Sequence, residues 1–108
     1  MSYKVLGQAA PAATTNTDLY TVPSGKEAVI SNIFVANRAA TDATFRVAVV
    51  PSGETFANQH YVAYDVTVTA NDTTQISSGI TAATGDIVRV FASSADISFS
   101  AFGTEVDA

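Results

Sequence analysis

Acid–base chemistry near neutral pH would have to begin with a single histidine, His60. As a general base it needs a carboxylate to orient it, and the nearest one downstream is Asp65. On an extended strand two residues five apart project to opposite faces and lie about 16 Å from one another. His60 is therefore expected to be an ordinary strand or surface histidine. The carboxylates Asp18, Glu27, Asp42, Glu54, Asp65, Asp72, Asp86, Asp96, Glu105 and Asp107 fall mostly at expected turns or strand ends. There, aspartates accept hydrogen bonds from nearby backbone amides. No two of them stand out as a glycosidase pair, and no His/Asp/Glu set has metal-ligand spacing. The chain has no cysteine, which excludes disulfides, Cys-ligated zinc and thiol catalysis. Its glycines are isolated, so no phosphate-cradling loop forms. The residues point to a protein that is not an enzyme, with no catalytic residue, no metal and no cofactor.

Binding chemistry rests on aromatics. Tyr20, Tyr61, Tyr64 and Phe56 could stack against a sugar ring, or they could be core and subunit-contact residues, the common role of aromatics on strands. Residues 54–59 form a non-periodic stretch suited to a recognition loop.

The elements that must carry these residues are strands. Period-two alternation recurs from end to end and the helical period is nearly absent. The expected strands are 3–8, 18–22, 26–37, 44–50, 60–68, 73–81, 87–93 and 96–103. Pro23-Ser24-Gly25 and Pro51-Ser52-Gly53 are turns, in which proline presets φ and glycine permits a positive one. Gly79 is placed to bulge its strand. In residues 26–37, Val29, Ser31, Ile33 and Val35 alternate against Ile30, Asn32, Phe34 and Ala36, apolar on both faces. Such a strand is central in a sandwich or packed on another subunit. In residues 44–50, Phe45, Val47 and Val49 are expected to face inward, with Arg46 opposite.

About seven to eight short antiparallel strands at this spacing predict one β-sandwich or jelly-roll domain. Residues 1–17 read as an N-terminal strand on an Ala/Thr connector and 18–108 as the sandwich. The N-terminal strand could extend as an arm that pairs with a neighbour's sheet edge, or fold back on its own domain.

Composition narrows the partners. Only 14% of residues are charged, and the net charge is −5. A monomer usually needs charge to stay dispersed, so part of a surface this bland is expected to be covered by a partner. The five cations Lys4, Lys26, Arg38, Arg46 and Arg89 are scattered, which disfavours nucleic acid and anionic membranes. Val5-Leu6 is broken at once by Gly7 and Gln8, too short for a signal-peptide core. No run approaches the ~20 apolar residues of a membrane helix. The expectation is synthesis in a cytoplasm, with solubility until assembly.

The segment Leu19-Tyr20-Thr21-Val22-Pro23-Ser24-Gly25-Lys26, the apolar strand through Val35, and Asn37-Arg38 together resemble small virion proteins of marine and cyanobacterial tailed phages. The opening residues 1–7 and the ending Phe99-Ser100-Ala101-Phe102-Gly103 are similar as well. The resemblance covers most of the chain and is structural: strand, Pro-x-Gly turn, strand. It implies a decoration or cement protein on a phage capsid or tail, located in the virion and homo-oligomeric, with a trimer preferred. It brings no catalytic residues. Tyr3, Val5, Leu6, Ile33 and Val35 are the expected partner-binding residues. The alternative is a receptor- or carbohydrate-binding module at a tail fibre or tail tip. A small glycan-active enzyme is a third class, disfavoured by the missing His/carboxylate pair.

Overall fold

The computed structural model describes residues 2–77 and 79–108; Met1, Ser78 and the side chains of Ser2 and Tyr3 lie outside the described part. The strands are β1 (Ser2–Ala9), β2 (Thr17–Thr21), β3 (Lys26–Asn37), β4 (Ala43–Val50), β5 (Tyr61–Val68), β6 (Thr73–Ile76), β7 (Ile80–Ala82), β8 (Ile87–Ala92) and β9 (Ile97–Asp107). One turn of 3-10 helix, Asn58–His60, precedes β5. The first sheet runs β1-β9-β3, with β6 and β7 sharing the far edge of β3. The second runs β2-β8-β4-β5, and every pairing is antiparallel.

β6 and β7 together form one edge strand along β3. Ile33 pairs with Ile76 and Ile30 with Ile80, and Gly79 takes φ +62° in the gap. With that strand counted once, the chain visits the sheets in the order first, second, first, second, second, first, second, first. This is the strand order of a jelly roll, a two-sheet sandwich built from Greek keys.

The two inner faces interdigitate into one core. Ile30, Ile33 and Val35 of β3 and Ile97, Phe99 and Ala101 of β9 meet Phe45 and Val47 of β4 and Val88, Val90 and Ala92 of β8. Phe45 and Phe99 touch edge-to-face across the layers, with centroids 6.1 Å apart. Such a pair adds ~0.5–1.5 kcal/mol beyond the area it buries.

Strict alternation fails once on β3, with consequences. Ile30 pairs with Gly103 and Asn32 with Phe102, so Ser31 is an extra residue. Before it Ala28 and Ile30 face the core; after it Ile33, Val35 and Asn37 do. Val29 thus parts from Ile33 and Val35 and turns outward, 42% exposed, while Ile30 parts from Phe34 and turns inward. Gly103 permits the close approach at the bulge, since a Cβ there would lie 2.0 Å from the Val29 carbonyl oxygen.

The N-terminal strand pairs along β9 of its own chain, Ser2 opposite Glu105 and Ala9 opposite Phe99. Leu6 and Ala9 rest against the core. The connector then crosses to the second sheet, where Thr14 N–H donates to the Ala92 carbonyl at 2.8 Å.

Candidate functional site

The two outer faces of the sandwich differ in chemistry. On the second sheet, β4 turns Arg46, Ala48 and Val50 away from the core, and β8 turns Ile87, Arg89 and Phe91 the same way. Ala48 and Val50 are nonetheless buried. Residues 51–60 fold back over this face, and the 3-10 turn lies against β4.

His60 closes that loop. Its Nδ1 accepts from the Ala57 N–H at 3.0 Å. A backbone N–H can only donate, so the ring proton sits on Nε2, which donates to Glu54 Oε1 at 2.9 Å. Phe56 stacks on the ring, with centroids 6.1 Å apart and planes 14° apart. The expectation of an ordinary strand or surface histidine is corrected: His60 is buried, and its carboxylate partner is Glu54 from the loop, not Asp65. Both ring nitrogens are engaged, so the pair braces the loop and leaves no open lone pair for proton abstraction. Among the described residues, no three His, Asp or Glu side chains converge on one point.

β5 is the open edge of this sheet and carries two irregularities in its pairing with β4. Phe45 pairs with Val66, Val47 with Ala63, and Ala48 with Tyr61. Asp65, at the first bulge, adopts φ +50°. Residues three apart on a regular strand point opposite ways. Here the Tyr61 and Tyr64 rings meet edge-on at 4.9 Å, and Phe56 meets Tyr61 at 5.3 Å. The Arg46 guanidinium lies 4.2 Å from the Tyr64 centroid and 4.4 Å from that of Phe91. Arg46 Nε and Nη2 donate to the two Asp65 oxygens at 2.7 and 3.4 Å. Arg89 sits over Phe56 and donates to Asp18. Of the four aromatics singled out in the sequence, Phe56, Tyr61 and Tyr64 come together. Tyr20 does not. Alternation conceals Phe91 and Arg46 as members of this cluster, because neither differs locally from any outward strand residue.

Tyr20 lies in the core, and its hydroxyl donates to the buried Glu105 carboxylate. Lys4 Nζ of β1 reaches the other Glu105 oxygen at 2.5 Å. The Lys4 ammonium, and after it the Tyr20 hydroxyl, hold the Glu105 carboxyl below the usual glutamate range. Burial, then the Glu105 acceptor, push the Tyr20 phenol up. The triad fastens β1 to β9 and to the second sheet.

The outer face of the first sheet is uncharged across its middle among the described residues. It presents Val5 and Gln8 of β1, Ser98, Ser100 and Phe102 of β9, and Val29, Asn32, Phe34 and Ala36 of β3, with β6 adding Thr73 and Gln75. Phe34 and Phe102 meet edge-to-face at 5.6 Å. A shallow depression of about 390 Å³ lies between Lys4, Val5, Ser31, Phe102 and Gly103. Charge appears at its borders, at Lys4 on the β1 side, at Glu27 and at Arg38, which donates to Ser98 Oγ.

Of the expected partner-binding residues, Val5 lies on this face, 49% exposed. Tyr3 pairs with Thr104, and its side chain is outside the described part. Leu6, at the β1 bulge, packs on the core. Ile33 and Val35 have no exposed surface, because the Ser31 bulge sets both between the sheets. Val29 and Phe34 are the β3 residues that face outward instead. Comparison with protein-family models, with curated proteins and with solved structures yields no match.

Proposed function

We propose that this chain is a structural virion protein of a tailed phage, a decoration or cement subunit that docks on capsid or tail proteins and on its own copies through the outer face of the first sheet. The observation that carries this reading is that face: apolar rings and short neutral side chains, with charge at its borders and Lys4 paired with Glu105. Interface cores are depleted in charge and enriched in aromatics. With a net charge of −5 per chain, copies meet at least cost where no unpaired carboxylate must be desolvated.

Area favours a lattice over a free pair. Four strands ~4.8 Å apart and ~25–30 Å long present roughly 500–600 Å². A standard interface needs ~800 Å² per partner. One such face is a weak contact alone, and repeated copies on a particle strengthen it through multivalency. The resemblance to phage virion proteins supports the same role.

The test is to titrate purified protein onto phage particles that lack it. Saturable, high-copy attachment is expected at repeated positions in a reconstruction. Binding at a single tip site, or none, would contradict the proposal.

A further inference from the structure

We propose that the edge of the second sheet around Tyr61 and Tyr64 binds a neutral hexopyranose sugar. The site lies on the opposite side of the molecule from the docking face and does not depend on it. Its backbone departs from a regular strand in three ways: two bulges in β5 and a left-handed aspartate, Asp65, at φ +50°. Such departures re-aim side chains, and a strained non-glycine residue marks a place where side-chain position matters. Here they turn Tyr61 and Tyr64 to one side and set Asp65 against Arg46. Tyr64 stands at the surface, 56% exposed, where it contributes little to the core.

The ring is held in place before any ligand arrives. Arg46 packs 4.2 Å from its centroid, and Tyr61 meets it edge-on at 4.9 Å. A held ring loses little rotamer freedom on stacking. The apolar C–H face of a pyranose suits such a ring. Its hydroxyls need a fixed acceptor, which the half-exposed Asp65 carboxylate supplies: Arg46 holds it in place and each oxygen keeps a further lone pair for a sugar hydroxyl. Charge selects the class of sugar. Arg46 and Arg89 are matched on this face by Asp65, Asp18 and Glu54, so an anionic sugar meets net repulsion and a neutral one does not.

The full chain is titrated by two-dimensional NMR with methyl β-glucoside, methyl β-galactoside and methyl α-mannoside, and with sialic acid as the charged control. At least one neutral glycoside is expected to shift Tyr61, Tyr64 and Asp65 saturably. Tyr64→Phe keeps that binding, and Tyr64→Ala weakens it by about tenfold or more, equivalent to ~1.4 kcal/mol. Should Tyr64→Ala fail to fold, Asp65→Asn reads the same site, since asparagine tolerates a positive φ, and is expected to weaken binding similarly. The absence of saturable shifts, shifts that survive these substitutions, or a preference for sialic acid would overturn the proposal. Particle attachment is scored separately, so failure here leaves the docking role standing, and the reverse.

Discussion

The outer faces of the two sheets come from strands of similar composition and end as different surfaces. On the first, outward positions hold serine, threonine, asparagine, glutamine, Val29, Phe34 and Phe102, with side-chain bonds such as Gln75 to Asn32 at 2.8 Å. On the second, both outward arginines are stacked on aromatic rings and paired with carboxylates, and a loop covers part of the sheet. The second face pairs its own charges, while Val62, Tyr64 and Val66 of β5 stay exposed at its open edge. The first leaves Val5 and Val29 in water, which a partner would cover. Within one fold, the local pairing of charge distinguishes the second face from the one proposed for docking.

What the faces share is the core, so the largest effect comes from removing it. Phe45→Ala deletes the ring that meets Phe99 and should destabilise the protein by ~3–5 kcal/mol in chemical denaturation. Both faces are then lost together. A cost below ~1 kcal/mol would mean that the sheets are not held by this contact.

The next effect belongs to the first sheet and its edge strand. Glu105 ionises more readily in the folded chain than when unfolded, through Lys4 and then Tyr20. Its contribution is therefore complete above the ordinary glutamate pKa of about 4.3 and is lost as pH falls through the lower, folded value. Glu105→Gln should cost ~1–3 kcal/mol at pH 7, because the Lys4 ammonium loses its partner. It should also flatten the acid limb of a melting-temperature profile. Parallel acid limbs for the two proteins would separate Glu105 from acid stability.

A smaller and more local effect belongs to the second face. His60→Ala removes the bonds to Ala57 and Glu54 and should cost ~1–2 kcal/mol, with faster amide exchange confined to residues 51–60. Exchange spread evenly through the sandwich would mean that the loop is not a separate cover.

Much of this was legible in the sequence. The longest alternating run coincides with β3, and both Pro-x-Gly turns close with glycine at positive φ, +76° for Gly25 and +81° for Gly53. These features are local, and local pattern reports them. The bulge at Ser31 is not local: it is set by how β3 meets Gly103, and nothing in the residues around Ser31 announces it. One inserted residue there exchanges the faces of Val29 and Ile30 and carries Ile33 and Val35 into the core. The last strand reads as ending at Gly103 because a buried glutamate mimics a strand end. It continues to Asp107 because Lys4, from the opposite end of the chain, satisfies Glu105. The aromatic cluster was half visible, since Phe56, Tyr61 and Tyr64 lie close in sequence, while Arg46 and Phe91 arrive through sheet pairing.

The contrast between the faces is tested most directly by placing one carboxylate on each. Ser100→Asp sits in the uncharged middle of the first face and Thr67→Asp on the exposed edge of the second. Both should fold with melting temperatures close to the parent, as surface substitutions change stability by less than about 0.5 kcal/mol. Self-association by sedimentation and attachment to phage particles are then measured for each. Ser100→Asp is expected to weaken both by about tenfold or more, the ~1.4 kcal/mol or greater cost of burying an unpaired charge, while Thr67→Asp leaves both unchanged. Equal losses from the two variants, or full attachment by Ser100→Asp, would contradict the assignment of the first face as the docking surface.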